Sequence, residues 1–337
     1  MKHATRGVLA GPVLVTGGAG FIGSHVVEAL LERGCEVRVL DDLSTGRADH
    51  LPLHDPNLEL QVGDVADAEE MRAALRGMRA VIHLAATPAG ARPTADPYDT
   101  ALANVTGFIQ LLEAARQQRV KRVVFASSAA VYGDAPEPPF AESTPPHPSE
   151  PAGMEKLLAE GYATLYASRY GLRALALRYF TVYGPRQHRR DGVIPRFLER
   201  LDAHRPVLIN GDGRQRRDFI HVEDAARATV AALESDRCGV LNVASGQPTE
   251  IRELVQLLGY ALDLQPLMHF VPARAGDVAA SWADIAQLRR LTGLAPARSL
   301  RSGLAALASD RAARRRREDA TAARLGSAEP AGAPPSR

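Results

Sequence analysis

The glycine spacing near the start of the chain constrains the fold more than any other feature. Gly17, Gly20 and Gly23 stand three residues apart, directly after the apolar stretch Val13–Val15. Gly17 permits a tight turn, Gly20 lets the backbone approach a ligand without a Cβ in the way, and Gly23 lets a helix pack closely on the strand. A strand, a tight turn and a helix N-terminus in this order predict a binding site for the pyrophosphate of a dinucleotide.

An acidic pair follows at the position where such a site binds a ribose. The predicted helix Ile22–Arg33 and a second strand lead to Asp41 and Asp42, eighteen residues after Gly23. A carboxylate at Asp41 accepts hydrogen bonds from both ribose hydroxyls and repels a 2′-phosphate, so it favours NAD over NADP. Arg47 is close enough in sequence to keep NADP as the alternative.

The composition indicates a globular enzyme-sized chain. Its 337 residues can bury a full core and form two lobes around one cleft. Its apolar runs fall short of the roughly 20 residues that a membrane helix needs, and its N-terminus lacks the apolar segment of a signal peptide. We therefore expect no membrane association and a cytoplasmic location. Cys35 and Cys238 have neither metal nor redox spacing, so we interpret both as buried small residues and expect no metal site.

The net charge of +2 conceals a difference between the body and the C-terminus. From Arg311 onward seven arginines face three acidic residues, which gives about +4 for this segment and about −2 for the rest. Its Ala, Gly, Pro and Ser content predicts a disordered basic tail over residues 311–337. The run Arg314–Arg317 leaves nucleic-acid binding as an alternative, but we favour a solvated tail and expect no nucleic-acid partner.

Short apolar strands alternate with helical stretches through the first 180 residues. This alternation predicts an α/β fold of the Rossmann type, a doubly wound parallel sheet covered on both faces. The predicted strands are Val13–Val15, Val37–Leu40, Leu58–Val62, Ala80–Leu84, Arg122–Ala126 and Arg173–Leu177.

The pattern changes after Gly184 to scattered helices and short strands. We predict a smaller C-terminal lobe that binds the substrate, so that residues 1–184 form the dinucleotide domain and residues 185–310 mainly the substrate lobe. The predicted elements of this lobe are helix Pro195–Ala203, strand Val207–Ile209, helix Val222–Glu234, strand Val240–Val243 and helix Glu250–Leu262.

From Val13 to about Leu307 the chain resembles the extended short-chain dehydrogenase/reductase superfamily, in particular its NAD-dependent nucleotide-sugar epimerases and dehydratases, of the UDP-hexose 4-epimerase kind. The motifs that carry the resemblance are Thr16–Gly23, Asp41–Gly46, Gly63–Val65, His83–Ala86, Asn104–Gly107, Ser127–Gly133, Arg178–Pro185, Arg217–Asp224 and Arg274–Asp277.

The resemblance implies where NAD binds. Asp64 and Val65 would contact the adenine, Ser44 and Thr45 the adenosine end, Ala85 and Ala86 the inner face of the cofactor, and the stretch from Tyr179 to Val182 the nicotinamide. The predicted cofactor-binding residues are Gly17, Gly20, Phe21, Ile22, Gly23, Asp41, Asp42, Ser44, Thr45, Gly46, Asp64, Val65, Leu84, Ala85, Ala86, Lys156, Tyr179 and Val182.

The resemblance also implies a nucleoside-diphosphate sugar as the substrate, a UDP-sugar in the first place. Arg217 and Arg274 resemble the clamps for its diphosphate, because a guanidinium fork matches phosphate oxygens in a bidentate way. Surface ion pairs are the alternative for both. The predicted substrate-binding residues are Thr87, Ser128, Thr181, Val193, Leu208, Asn210, Arg217, Arg274, Asp277 and Ser281.

One catalytic side chain of the family is missing. In this family a Tyr-x-x-x-Lys pair, with a Ser or Thr from the preceding strand, performs the proton transfer that accompanies hydride transfer. Ser128 and Lys156 match the Ser and the Lys, but Ala152 stands where the family has tyrosine. Losing a positioned general base lowers a rate by about 10² to 10⁴. Tyr132, Tyr162 and Tyr166 are the candidate substitutes, and none has the required spacing.

Three explanations for Ala152 stay open. The alanine can be a deliberate replacement of tyrosine made to trap a substrate complex, the mark of a naturally inactive relative, or part of a reaction that needs no such base. We favour the first, because the other catalytic and clamp positions are intact. In each case we expect this chain to be impaired in the family's reaction.

The residues after Ser128 separate the reactions of the family. Dehydratases have Asp-Glu there, because elimination of water needs an acid and a base, whereas this chain has Ala129 and Ala130. Epimerisation at C4 of the sugar remains, in which hydride leaves C4, a 4-keto sugar forms and hydride returns to its other face. A UDP-glucuronate 4-epimerase or a dehydratase stays an alternative.

The residues around the predicted sugar position are compatible with more than one sugar. Ser281 occupies the position where hexose-specific members have tyrosine, so it leaves room for an N-acetyl group and makes UDP-GlcNAc or UDP-GalNAc plausible. Thr181 stands where many members have Asn, a form that resembles UDP-glucuronate 4-epimerases, and His188–Arg190 could meet a uronate. The stretch Thr87–Pro93 also departs from common family versions and is expected to line the sugar.

A different class of function competes with catalysis. A non-catalytic nucleotide-sugar sensor, or a partner subunit, would bind the same ligands without turnover. In either case we expect a homodimer, because family members pair through two long helices, here Pro97–Gln118 and Ala152–Arg169.

Overall fold

The structure is a computed structural model, and it describes residues 11–86, 97–133, 135–188, 191–273, 276–293 and 297–326. Its strands are Val13–Thr16 (β1), Val37–Asp41 (β2), Leu58–Val62 (β3), Ala80–His83 (β4), Arg122–Ser128 (β5), Ala174–Tyr179 (β6), Thr181–Tyr183 (β7), Val207–Asn210 (β8), Arg216–His221 (β9), Gly239–Val243 (β10), Pro248–Glu250 (β11), Met268–Val271 (β12) and Ala280–Ser281 (β13). Its α-helices are Phe21–Leu31 (α1), Ala68–Ala74 (α2), Pro97–Ala101 (α3), Gly107–Gln117 (α4), Pro151–Tyr170 (α5), Val193–Asp202 (α6), Val222–Glu234 (α7), Ile251–Leu262 (α8), Ala286–Thr292 (α9) and Leu300–Gly326 (α10).

Seven parallel strands form the main sheet in the order β10-β6-β5-β4-β1-β2-β3. The strands β1, β4 and β6 are buried throughout, as expected for strands covered on both faces. The strand order reverses between β1 and β4, and ligands of doubly wound sheets bind outside the carboxyl ends of the strands at such a point. The predicted Rossmann-type α/β fold is confirmed.

Helices cover both faces of the sheet and form a separate apolar cluster on each. On one face, α1 and α7 pack against the sheet through residues such as Val26 and Leu233. On the other face, α2, α4 and α5 contribute Met71, Phe108 and Ala159. These two clusters hold the five helices against the sheet and so support the strand ends.

The smaller lobe contains two short sheets. In one, β9 pairs with β7, β11 and β13, and in the other β8 pairs with β12. An apolar cluster that includes Phe197, Phe219 and Leu254 holds the lobe together. The assignment of strand Val240–Val243 to this lobe is wrong: β10 pairs with β6 and completes the main sheet. The physical reason is that β6 would otherwise present an open, buried edge.

The chain ends in a long helix. The helix α10 extends to Gly326, so the predicted disordered tail is helical over residues 311–326, while residues 327–337 lie outside the described residues. The carboxylate of Asp224 accepts hydrogen bonds from the backbone N–H groups of Ala297 and Arg298, both at 3.1 Å, and so anchors the approach to this helix. Among the described residues, no helix is long and apolar enough to cross a membrane.

Candidate active site

The glycine motif forms a tight turn between β1 and α1. Gly17 has φ +69°, and a Cβ there would lie 2.6 Å from the backbone N of Ala85. A Cβ on Gly23 would overlap the carbonyl oxygen of Gly17. In this part of the described chain no side chain caps the N-terminus of α1, so its first N–H groups are available to an anion. The cradle therefore fits a dinucleotide pyrophosphate, as the motif predicts.

Asp41 ends β2 beside this turn and is buried. Its Oδ2 accepts a hydrogen bond from Ala19 N and its Oδ1 one from Leu43 N, both at 2.9 Å. Burial raises the pKa of Asp41, and the two backbone N–H groups oppose that shift. The carboxylate thus ties the glycine turn to the following loop and keeps unused lone pairs for a ribose.

The next loop is arranged by the neighbouring acid. Asp42 is exposed, and its Oδ1 accepts hydrogen bonds from Ser44 N and Ser44 Oγ at 2.9 and 2.6 Å. Thr45 is exposed, whereas Gly46 packs closely against the carboxylate of Asp41. The predicted adenosine contacts of Ser44 and Thr45 are therefore sterically open.

The other predicted cofactor residues follow strands β3 and β4. Asp64 is exposed and its Oδ1 accepts a hydrogen bond from Ala66 N, while Val65 is half-buried. Leu84 and Ala85 are half-buried and Ala86 is exposed at the end of β4. All five residues therefore lie at the carboxyl edge of the sheet, near the reversal of strand order.

His83, the buried last residue of β4, stabilises this edge of the sheet. Its Nδ1 lies 2.7 Å from Thr16 Oγ1, which links the ends of β1 and β4. Burial lowers the pKa of His83 to about 3, with a smaller contribution from the charge of Lys156. His83 is therefore neutral at physiological pH.

Ser128 and the helix α5 are brought together at the end of β5. The Oγ of Ser128 accepts a hydrogen bond from Ala130 N at 3.1 Å in a short 3₁₀ turn over Ala129–Val131. A Cβ on Gly153 would overlap the carbonyl oxygen of Ala130. Glycine at position 153 therefore lets the first turn of α5 approach the serine turn closely.

Ala152 and Lys156 lie one turn apart on this part of α5, and both are half-buried. Residues at i and i+4 share a helix face, so both face the same side as the serine turn. Burial lowers the pKa of Lys156, and the charge of the neighbouring Glu155 opposes that shift. At the position where the resemblance predicts a tyrosine, this helix therefore carries only the methyl group of Ala152.

The three tyrosines that could substitute for the missing one make other contacts. Tyr132 is fully buried, and its hydroxyl donates to Asn242 Oδ1 at 2.7 Å. Burial raises its pKa, which disfavours the phenolate. The hydroxyl of Tyr166 donates to Glu113 Oε2 at 3.4 Å, and Tyr162 packs in the apolar cluster under α4 and α5. These contacts leave none of the three hydroxyls at position 152.

Tyr179 ends β6 with its side chain in the core. Its side chain is buried and its hydroxyl lies 2.6 Å from Thr229 Oγ1 of α7. The residue points into the core because it ends β6 on the face covered by α7. Only its backbone is available to a nicotinamide. Val182 is also buried, whereas Thr181 is half-buried at the start of β7.

The structure brings together three of the predicted substrate residues. Arg217 Nη2 donates to Asp277 Oδ1 at 2.9 Å, and Ser281 pairs with Arg217 in the register of β13 and β9. Burial lowers the pKa of Arg217, and the charge of Asp277 opposes that shift. Val193, Leu208 and Asn210 belong to α6 and β8 of the same lobe. Thr87 and Arg274, like Arg189 and Arg190, lie outside the described residues.

Next to Ser128, at Ser127, begins a buried polar network that the sequence analysis missed. Glu160 accepts hydrogen bonds from Arg178 Nε and Nη2 at 2.9 and 2.7 Å, and from Ser127 Oγ at 2.6 Å. The Arg178 guanidinium also lies 4.8 Å from the centre of the Tyr132 ring. An arginine inside the otherwise apolar strand β6 was the available signal, because a buried charge requires a partner.

The sequence analysis also did not predict the contact between Glu155 and Asn104. Asn104 Nδ2 donates to Glu155 Oε2 at 2.7 Å, across a separation of 51 residues. The sequence shows a charged residue beside Lys156, but not the partner that keeps it buried.

Comparison with known proteins gives the same fold and similar sequences. Residues 13–244 match the NAD dependent epimerase/dehydratase family. The UDP-glucose 4-epimerase of Mycolicibacterium smegmatis is 38% identical over 304 residues, which covers 87% of this chain and 96% of that protein. Two solved structures are similar throughout. One is a UDP-N-acetylglucosamine 4-epimerase from Methanobrevibacter ruminantium in complex with UDP-N-acetylmuramic acid (TM-score 0.84, 34% identity, 89% and 97% of the two chains covered). The other is the Thermus thermophilus UDP-glucose 4-epimerase in complex with NAD (TM-score 0.81, 37% identity, 88% and 98% covered).

Proposed function

Because the chain belongs to the NAD-dependent epimerase/dehydratase family, we propose that it binds NAD and a UDP-sugar and that its reaction type is epimerisation at C4 of the sugar. The observation that carries this proposal is the position of Ser128 at the end of β5, against the first turn of α5 with Lys156. Two alanines follow the serine, so the carboxylates that elimination needs are missing there.

Each side chain of the site has a role in this proposal. NAD, when bound, accepts hydride from the sugar carbon and returns it. The glycine turn and α1 hold the pyrophosphate, and Asp41 orients a ribose. Arg217 binds the sugar diphosphate, with Asp277 holding its guanidinium in place. Ser128 donates a hydrogen bond to the sugar oxygen at the reacting carbon, and Lys156 donates to neighbouring hydroxyls. The substrate lies in the cleft between the strand ends and the smaller lobe.

Ala152 leaves this site without its proton acceptor. The tyrosines near the site are held in other contacts, so we propose that the chain binds its ligands but turns over slowly. The loss of a positioned base lowers the rate by about 10² to 10⁴. Deliberate replacement, natural inactivity and a reaction without this base all agree with such a site.

The variant Ala152→Tyr tests the proposal. Incubated with NAD and UDP-glucose, UDP-N-acetylglucosamine or UDP-glucuronate, it should form the C4 epimer of one of them at least about 10²-fold faster than the unchanged chain, as followed by NMR. Ala152→Phe is the matched control, because it restores the ring without the hydroxyl and should stay slow. If Ala152→Tyr produces no epimer from any of the three, the epimerase proposal fails.

The same experiment shows which of the three sugars is the substrate. Ser281 is half-buried beside Arg217, and its small side chain leaves space at the position next to Trp282. Relatives named for UDP-glucose and for UDP-N-acetylglucosamine have similar identities to this chain, 38% and 34%. We propose an N-acetylhexosamine as the favoured sugar and glucuronate as the second candidate, the latter because of Thr181.

A non-catalytic nucleotide-sugar sensor is the second candidate function. The methyl group of Ala152 at the position of the family's tyrosine favours it, because ligand binding without turnover needs no proton acceptor. The NMR assay of Ala152→Tyr separates the two, because a sensor binds a UDP-sugar, as calorimetry would show, but this variant then produces no epimer.

We also propose that the chain forms a homodimer through α4 and α5. Met154, Leu158 and Leu165 are between 45% and 49% exposed on α5. Together with Gly161 and Ser168, which are also exposed, they follow spacings of four and three residues. This is the seam of two packed helices, and a second copy of the same seam is self-complementary about a two-fold axis.

A further inference from the structure

We propose that the chain has a second anion-binding site, on the reverse of the small sheet that carries Arg217, and that its ligand is a phosphate dianion, either free or in a monoester. An open pocket of about 360 Å³ lies at this place. The roles proposed above for NAD and sugar binding use none of its charged or aromatic side chains. These are Arg214, Arg216, Arg252, Glu250 and Trp282.

Strand pairing places this pocket and the proposed diphosphate clamp on opposite faces of one sheet. Arg216 of β9 pairs with Glu250 of β11, whereas Arg217 pairs with Ser281 of β13. Successive side chains of a strand point to opposite faces, and directly paired residues share a face. Arg216 and Glu250 therefore face away from Arg217 and Ser281. Trp282, the residue after Ser281, lines the pocket, so the pocket is separate from the clamp.

Two backbone hydrogen bonds connect the loop before β9 to the start of α8 and hold the other two arginines. The N–H of Arg252 donates to Gly213 O, and the N–H of Ile251 donates to Gln215 O, both at 3.1 Å. Arg214 lies between these two acceptors in the sequence. The side chains of Arg214 and Arg252 therefore extend from anchored backbone on neighbouring segments, beside Arg216 of the sheet.

The lining of the pocket carries an excess of positive charge. Glu250 Oε2 accepts a hydrogen bond from Arg252 Nε at 2.6 Å, and its Oε1 lies 3.5 Å from Arg216 Nη2. The hydrogen bond from Arg252, with a smaller contribution from Arg216, holds the pKa of Glu250 below its ordinary value. Three guanidinium groups against this one carboxylate leave two positive charges in excess. The exposed Asp212, outside the lining, lies 3.8 Å from Arg214 Nε.

The charge and the hydrogen-bond donors fit a phosphate dianion. The distances of 3.5 and 3.8 Å from Arg216 and Arg214 to their carboxylates exceed the about 2.7–2.9 Å of a charge-assisted hydrogen bond, so both arginines keep donors for a ligand. A guanidinium fork matches phosphate oxygens in a bidentate way, and a phosphate monoester carries about two negative charges at pH 7. The ring of Trp282 offers an apolar surface to the organic part of a monoester.

Tryptophan fluorescence reports on the pocket directly, because Trp282 is the single tryptophan of the chain. The whole protein, without NAD or sugar, is titrated with inorganic phosphate and with phenyl phosphate at an ionic strength kept constant with NaCl. Both titrations should change the fluorescence and saturate. Tighter binding of phenyl phosphate would support a monoester as the ligand, and equal affinities would support free phosphate. The absence of a saturable change with both compounds would overturn the proposal.

Two neighbouring arginines serve as matched variants, one on each face of the sheet. Arg216→Ser changes a half-exposed side chain and should weaken phosphate binding about tenfold, the equivalent of one charged hydrogen bond. Arg217→Ser should retain the phosphate titration and instead weaken the binding of UDP-glucose, as measured by calorimetry. A phosphate titration that is unchanged in Arg216→Ser, or that is lost only in Arg217→Ser, would overturn the proposal. The phosphate titration needs neither NAD nor turnover, so its failure is distinguishable from failure of the epimerase proposal.

Discussion

At the scale of single residues, Asp41 has a role in the fold and a proposed role in binding a ligand. Its two oxygens accept hydrogen bonds from Ala19 and Leu43, which join the glycine turn to the next loop. The sequence spacing predicts the acid at this position but not these two contacts. The loop that they join also contains Leu43 in a left-handed conformation, φ +57°, which a sequence pattern does not show.

The double use of Asp41 predicts a pH dependence of NAD binding. The ionised carboxylate is the form that accepts ribose hydroxyls, and burial raises its pKa. As the pH falls, NAD affinity should therefore begin to decrease above the ordinary aspartate pKa of about 3.9. A raised folded-state pKa means that protonation favours the folded state, so the decrease would not reflect unfolding. Calorimetric titrations between pH 7.5 and 4.5, each about a unit apart, measure it.

Two variants separate this effect from general changes with pH. Asp41→Asn should weaken NAD binding roughly tenfold at neutral pH, the equivalent of one charged hydrogen bond, and should abolish the pH step. Asp42→Asn removes the neighbouring exposed acid and should retain the step. If Asp41→Asn shows the same pH profile as the unchanged chain, Asp41 does not contact the ribose.

At the scale of elements, the contact between α5 and the serine turn determines whether the site is assembled. Gly153→Ala places a Cβ onto the carbonyl oxygen of Ala130, so α5 has to move away from Ser128. We expect a destabilisation of about 1–3 kcal/mol and weaker binding of NAD and UDP-sugar. Urea unfolding and calorimetry measure the two effects.

Gly107→Ala is the matched control for that variant. It also lies within a helix, but the nearest atom to its added Cβ would be at 3.8 Å. Alanine is the better helix former by up to about 1 kcal/mol, so this variant should be neutral or stabilising. Equal stability of the two variants would show that the close approach at Gly153 is not required.

The elements also show where sequence patterns carry information. The strands of the large sheet are predicted to within two residues, because β1 to β6 are short segments rich in apolar residues and bounded by turns. Strands β7, β11 and β13 contain two or three residues, which is too short for any periodicity. They owe their existence to pairing with β9 and therefore to tertiary contacts. The strand β10 is predicted as a strand, but its place in the main sheet depends on pairing with β6, which lies far away in the sequence.

At the scale of the whole molecule, the site draws on residues from both lobes. The glycine turn, Ser128 and Lys156 lie at the edge of the large sheet, and Arg217 with Asp277 belongs to the smaller lobe. Motif spacing predicts each part separately, since each part is local in the sequence. The long-range pairs, Glu155 with Asn104 and Glu160 with Arg178, could not be predicted, because the motifs that contain Asn104 and Arg178 do not show which residues their side chains contact.

The helix α5 connects the site to the proposed dimer. One of its faces carries Ala152 and Lys156, and the opposite one carries Met154, Leu158 and Leu165. A partner that packs on the second face would restrict motions of the first. Dimerisation is therefore expected to affect the site as well as the surface of α5.

Light scattering tests the seam on the whole protein. The unchanged chain should have twice the mass of one polypeptide, because three half-exposed apolar side chains on one helix face are more stable when they are covered. Leu158→Asp places charges opposite each other across the two-fold axis and should give a monomer. Leu53→Asp changes a leucine of similar exposure, 52%, in the loop between β2 and β3 and should leave the dimer intact. A monomeric unchanged chain would contradict the homodimer, whereas a dimer that survives Leu158→Asp would place its interface on another surface.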